Sequence, residues 1–424
     1  MIKKLFFISI SVALSLNATT ITDIFQSLKK QPISKRDTLD VVMAKLDKKS
    51  AEDALYPKLN GSLSYEHFNR PSSMRPFLPT ETSTLLANDE PLPFSKDIYK
   101  AGVNFSFPLF VKALYTIKDK AKILKIAKDE KRVLNLIQRE ATILGANANM
   151  RYLENLLKAL DKKRDSLLKT KEDIAIKVKN GRAAGISLVK IDESLNAIDI
   201  SKNKILSNIS ELRSVIYTLS GVDLQKSVDM QKTKEINKEK LFALLPLKAS
   251  LKARKMALKA SKESLYPSLF LKAGYAKSYA KGYNNDKSLD TGFGSIGLYL
   301  NIPIFDRSKY TKIQKARVAY ESEALNISYT KHSLLSDSAK LQRDLSILKR
   351  SEKLAKKSIE LNKELLKVAK ISYENERMSE EEYLRYENAL FDSYASLYDI
   401  EAKKWQDIAK LAVIYGNDLE EIVK

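Results

Sequence analysis

Gly294-Ser-Ile-Gly-Leu-Tyr-Leu-Asn-Ile-Pro-Ile-Phe305 alternates apolar and small or polar residues, and from Asp306 to Asn375 about seventy residues follow without one Pro or Gly. The alternation has the period of a strand with one greasy and one wet face. The long run, at ~1.5 Å per residue, predicts a helix on the order of 100 Å. The turn Glu376-Arg-Met-Ser379 ends it, and a second helical pattern returns to Gly416.

The same unit is written upstream. Phe107-Pro-Leu-Phe110 recurs as Ile302-Pro-Ile-Phe305, with Pro108 and Pro303 standing 195 residues apart. Tyr115-Thr116 recurs as Tyr310-Thr311, Gly181 falls on Glu376, and Gly221 falls on Gly416, all at that same spacing. Leu55-Tyr-Pro57 recurs as Leu265-Tyr-Pro267 at a spacing of 210, so only the segment between the strands changed length. The chain reads as an internal duplication.

From these marks we expect a signal peptide over 1–18 and a first repeat over 19–223. That repeat holds a helix near 34–54, strands 58–68 and 99–110, and long helices 111–180 and 186–220. A connector covers 224–240. The second repeat, 241–424, has a helix before strands 268–280 and 293–305 and long helices 306–376 and 380–415. Residues 19–35 read as an extended lead-in, and the proline-rich 69–97 reads as a long irregular loop. The leader is inferred from Lys3 and Lys4 ahead of the apolar run Leu5–Leu16, too short to span a bilayer.

In the strands the odd positions Leu59, Gly61, Leu63 and Tyr65, then Tyr99, Ala101, Val103, Phe105 and Phe107, are apolar or small. The second copy repeats this with Leu269, Leu271, Ala273 and Tyr275, and with Ile296, Leu298, Leu300 and Ile302. Each strand has the length that a tilted transmembrane strand needs, but four strands cannot close a membrane barrel. Either several chains each contribute four, or the strands form an ordinary soluble sheet. Leu134, Ile137, Ala141, Leu144 and Ala148 step by three and four, as do Ile205, Ile209, Leu212, Ile216 and Leu219, and Trp405, Ile408, Ala412 and Tyr415. Such stripes suit supercoiled helices and plain bundle packing equally.

A formal charge of +22 raises nucleic acid as a partner, but Lys and Arg alternate with Asp and Glu along the helices, so we read a solvated face and no nucleic-acid binding. There is no Cys, hence no thiolate metal site. His67 and His332 have no second ligand at metal spacing, and no nucleophile–base set or phosphate loop appears. No catalytic, cofactor or metal site is expected, nor an enzyme.

Taken together, the doubled order of helix, strand, loop, strand, long helix, turn and helix resembles the TolC-like outer membrane efflux proteins over roughly residues 22–417. The resemblance implies a mainly α chain with a small β part. Its duplicated helical hairpins would join an α-barrel, and its four transmembrane strands a trimeric twelve-stranded β-barrel. It implies a homotrimer in outer membrane lipid, with helices extending into the periplasm. Such a trimer is the passive exit duct of a tripartite efflux or type I secretion system, beside a periplasmic adaptor and an inner-membrane pump. The cargo is left open. The family's turn pattern lies on Gly181, Ala184, Ser187, Leu188 and Val189, and again on Glu376, Ser379, Glu382, Tyr383 and Leu384. The resemblance thereby makes Gly181, Ser187, Lys190, Tyr373, Glu382 and Arg385 the residues of a periplasmic gate. Glu382 reads equally well as an exposed helix-start carboxylate facing the helix dipole. The rival from another class is a soluble periplasmic coiled-coil scaffold or adaptor.

Overall fold

The computed structural model describes residues 20–182, 184–375 and 377–424. The expected signal peptide and Glu376 lie outside the described residues. In chain order the elements are α1 (Ile21–Lys30), α2 (Pro32–Asp53), β1 (Lys58–Ser73), α3 (Pro79–Ala87), β2 (Phe94–Phe110), α4 (Lys112–Lys179) and α5 (Ile186–Ser220). A 3-10 turn at Phe242–Leu244 leads into α6 (Leu245–Glu263), β3 (Ser268–Lys281), β4 (Ser288–Asn301), α7 (Arg307–Glu374), α8 (Glu380–Tyr415) and α9 (Leu419–Ile422). The four long helices begin and end within two residues of the sequence reading.

Three stretches differ from that reading. The lead-in at 19–35 is not extended: Ile21–Lys30 is a helix. Thr20 and Asp23 form a capping box, and the apolar positions follow the helical spacing, so Ile21, Ile24, Phe25 and Leu28 are all fully buried. At about 1.5–3 kcal/mol for each such side chain, that burial outweighs the weak propensity of ten residues. The second is the loop at 69–97. β1 runs on to Ser73 through an irregularity between His67 and Ser72, and β2 starts at Phe94. Pro79, at the first position of α3, begins a helix there because its missing N–H would be unbonded anyway. This segment has its own small core: Met74 is buried and the Phe77 and Phe94 rings meet edge-to-face at 5.4 Å. β4 also ends at Asn301 rather than Phe305, before Pro303, which has no N–H to give the ladder.

Two compact units are present, and both halves of the duplication contribute to each. One holds the chain up to Leu39 with Lys131–Leu244 and Lys331–Lys424. Its core takes in Ile143, Leu144, Met150, Leu167, Ile191 and Ile216. In the expected stripes Ile137, Leu144 and Ala148, then Ile205, Ile209 and Ile216, then Ile408 and Ala412, are buried, and the members between them are half-buried. α5 and α8 both end on a left-handed glycine, Gly221 at φ 70° and Gly416 at φ 73°. α1 caps the first of these ends, with Ser27 Oγ and Gln31 Nε2 donating to the Ser220 carbonyl at 2.7 and 2.6 Å. The connector is tied to the chain's end: Gln231 and Lys424 exchange backbone hydrogen bonds at 2.7 and 3.0 Å.

The other unit, Asp40–Glu130 with Leu245–Thr330, carries the sheet. All neighbouring strands are antiparallel, in the order β1-β2-β3-β4. Pairing Leu63 with Ala101, Ala101 with Lys277, and Lys277 with Gly292 fixes the register. All four apolar sets named above therefore share one face, and the polar sets share the other. Charged groups interrupt the apolar face toward its far end, where Lys277 pairs with Asp290 at 2.5 Å. His67, read as incidental, lies opposite Asp97 and meets its carboxylate at 2.7 Å through Nδ1. Tyr65, Tyr99 and Tyr279 form one cross-strand row toward the outer end of the apolar face.

Candidate functional site

The paired helical turns, 180–187 and 375–380, reverse the chain between α4 and α5 and between α7 and α8. Gly181 supplies the first reversal: it sits at φ 73°, in the left-handed region where a Cβ is strained, and none of the described residues crowds it. In the second turn Ser379 caps α8, its hydroxyl accepting from the Glu382 N–H at 3.2 Å. Glu380, Glu381 and Glu382 then fill the first turn, where the helix dipole favours negative charge.

Three of the sequence-derived residues come together, around a carboxylate that the pattern did not single out. The Ser187 hydroxyl and the Lys190 and Lys177 ammonium groups all favour the charged form of Glu380. Desolvation nonetheless raises the Glu380 carboxyl above its usual range, with Ser187 and the two lysines opposing that shift. Tyr373, 8% exposed, stacks on Tyr383 with ring centroids 5.0 Å apart, and the Lys177 ammonium sits 4.9 Å above the Tyr373 ring. Both phenols are pushed up to about 12, chiefly by burial. Glu382 is half-buried and Arg385 exposed; they stand at the start of α8, apart from this cluster, and the cap geometry suits the helix-start reading of Glu382.

About two turns farther along α8 a second carboxylate is buried. Glu387, 7% exposed, accepts from Tyr383 Oη at 3.0 Å and from Ser166 Oγ of α4. Both bonds fall on Oε1; Oε2 has no partner among the described residues. Desolvation raises this carboxyl, against Ser166, Tyr383, Lys163 and Lys370. Lys163 of α4 is itself lowered by burial and lies 5.4 Å from the Phe391 ring centroid.

A continuous set of contacts therefore runs Ser166–Glu387–Tyr383–Tyr373–Lys177, leaving α4, crossing α8 and α7, and returning to α4. It links the first hairpin to the second. Sequence reasoning passed over Glu387, although a signal existed. Tyr383, Glu387, Leu390, Tyr394 and Leu397 step by four and three, which puts a carboxylate on the seam that α8 buries. Chemically the arrangement can hold two helix pairs together through exchangeable polar bonds. Among the described residues there is no cluster of three or more His, Asp or Glu able to hold a metal ion.

No protein-family model matches the chain, and no curated protein matches it by sequence. Solved structures do match. The CmeC outer membrane channel of Campylobacter jejuni aligns at a TM-score of 0.78 and 15% identity, covering 94% of this chain and 85% of that one. The outer membrane protein VceC of Vibrio cholerae aligns at 0.76 and 14%, over 93% and 96%. The open state of the MtrE outer membrane channel of Neisseria gonorrhoeae aligns at 0.73 and 14%, over 95% and 90%. At these identities the likeness establishes the fold, which is that of TolC-like channel proteins.

Proposed function

We propose that this chain is one protomer of a trimeric outer-membrane duct, the passive and non-enzymatic exit of a tripartite efflux or secretion system. The open sheet is the observation that carries the reading. Its apolar face is bare, with Leu63 86% exposed, Ile296 77% and Leu298 66%, and β1 and β4 each pair on one side only. A sheet with a greasy outer face and two open edges is stable neither in water nor in lipid. Three copies would supply twelve strands, close the edges and turn the apolar face to lipid. α7 carries a matching surplus: Leu354, Leu361, Leu365 and Val368, at seam spacing, are all exposed in the single chain. A neighbouring chain would cover them.

In this reading an inner-membrane pump and a periplasmic adaptor supply energy and contact. The turns form the periplasmic gate, and opening separates the first hairpin from the second, breaking the Ser166–Glu387 bond and drawing Ser187 and Lys190 away from Glu380. The likeness to channel proteins supports the duct against a soluble scaffold or adaptor. Fractionation tests it: the duct reading expects heat-modifiable trimers in the outer-membrane fraction and discrete conductance steps in planar bilayers. A protein soluble without detergent would sink it. For the gate, Glu380→Ala should raise conductance more than Glu382→Ala, since only Glu380 is engaged across the turns. Equal, null effects of both would remove the turns from the gate.

A further inference from the structure

The wet face of the sheet carries an uneven charge. Between the rows of Lys58 and Glu66 it is built of Asn, Ser, Thr, Gly and Ala with three large apolar residues, Ile98, Leu289 and Phe293, and it carries three lysines, Lys58, Lys100 and Lys272, and one carboxylate, Glu66. The register decides where these charges stand. Lys58 lies opposite Ser106, Ser106 opposite Lys272, and Lys272 opposite Gly297, so two lysines occupy a single cross-strand row. That row is at the helix-proximal end of the sheet, where β1 follows α2 and β3 follows α6. The next row outward, Asn60, Asn104, Gly274 and Ser295, contains no acid. Lys100 is different: it stands 3.8 Å from Glu66 and is balanced by it. Lys272 lies with its ammonium 4.9 Å from the Tyr299 ring centroid, a contact that steadies the cation without neutralising it.

We propose that Lys58 and Lys272 make the β-part of the duct selective for anionic solutes, such as carboxylate- or phosphate-bearing small molecules. The inference rests on the three-chain duct proposed above, in which the row becomes a band of six ammonium groups facing the lumen. Twelve strands spaced ~4.8 Å apart and tilted ~40° close at a backbone radius of about 12 Å. A lysine reaching inward then places its charge about 6 Å from the axis, inside the ~10 Å screening length of 0.1 M salt. The same tilt staggers the two lysines of one chain by roughly 6 Å along the axis, so the band is thick enough to act on an ion throughout its passage. Rings of cationic side chains favour anions in this way in other pores.

The test is the chloride-to-potassium permeability ratio, read from the reversal potential of single channels in planar bilayers under a KCl gradient near 0.1 M. Lys58→Gln with Lys272→Gln should lower the ratio by at least about threefold relative to the native chain. Each single change should give part of that effect, the Lys58→Arg, Lys272→Arg pair should retain the native ratio, and at 1 M salt the difference should shrink as screening tightens. Heat-modifiable trimers verify that each variant assembles, and the single variants serve if the double one does not. A ratio unchanged in the Gln variants, in channels of normal conductance, overturns the lysine band and leaves the duct standing. Absence of any channel from the native protein removes the duct, and this inference with it.

Discussion

Glu140 offers the sharpest test of how this helical unit is held together. It lies on α4, 1% exposed, near the junction of α1 and α9, and no side-chain donor among the described residues reaches either of its oxygens. Burial, with the Asp418 and Glu420 carboxylates adding to it, pushes its pKa up from the usual 4.5 to about 8, against the Lys29 ammonium and the Leu419 N–H. The folded protein therefore keeps the proton that the unfolded chain releases. A raised acid binds more protons folded than unfolded between pH 4.5 and 8, so stability is greatest below that window and declines as pH rises through it. At ~1.4 kcal/mol per unit, the cost at pH 7 is about 3 kcal/mol, and it approaches about 5 kcal/mol above pH 8. Glu140→Gln keeps the shape and removes the ionisation. Its thermal midpoint should match the native protein near pH 4.5 and exceed it near pH 8 by several degrees, at roughly 2 °C per kcal/mol or less for a chain this long. Thermal melts of the detergent-solubilised protein at both pH values, followed through helix content, measure the difference. An offset between variant and native protein that is the same at pH 4.5 and pH 8 would refute the argument, because it would show that Glu140 does not titrate across folding.

Glu387→Ala leaves the Ser166 and Tyr383 hydroxyls without their acceptor, at a cost of about 1–3 kcal/mol to the closed arrangement, so bilayer recordings should show a larger mean conductance or more frequent opening. Tyr373→Phe should change little, since its hydroxyl has no partner among the described residues, whereas Tyr373→Ala removes the stack on Tyr383, worth about 0.5–1.5 kcal/mol beyond the lost burial; conductance and thermal midpoint should both separate the two variants. Gly416→Ala should destabilise far more than Gly181→Ala in the same melts. Both sit at φ 73°, a strain of about 1 kcal/mol for alanine, but a Cβ at 416 would lie 2.2 Å from Phe242 Cγ, while at 181 it meets none of the described residues within 4 Å.

What the sequence determined is whatever repeats at short range. Alternation in the strands, three-and-four stepping in the helices, the glycine ends of α5 and α8 and the doubled spacing all follow from local backbone geometry, so the long helices and the two-faced sheet were legible there. α1 was legible too, through Thr20 and Asp23 and the helical spacing of Ile21, Ile24, Phe25 and Leu28. The tertiary structure alone decided which charges matter. Glu140 and Glu387 look like ordinary helix carboxylates until α1, α9 and α4 close over them, because desolvation depends on what packs from elsewhere in the chain. Lys58 and Lys272 are more than two hundred residues apart, and only the pairing of β1 with β2 and of β2 with β3 sets them in one row. Register is fixed by contacts between strands distant in sequence, and a shift of one residue would have turned both lysines to the other face.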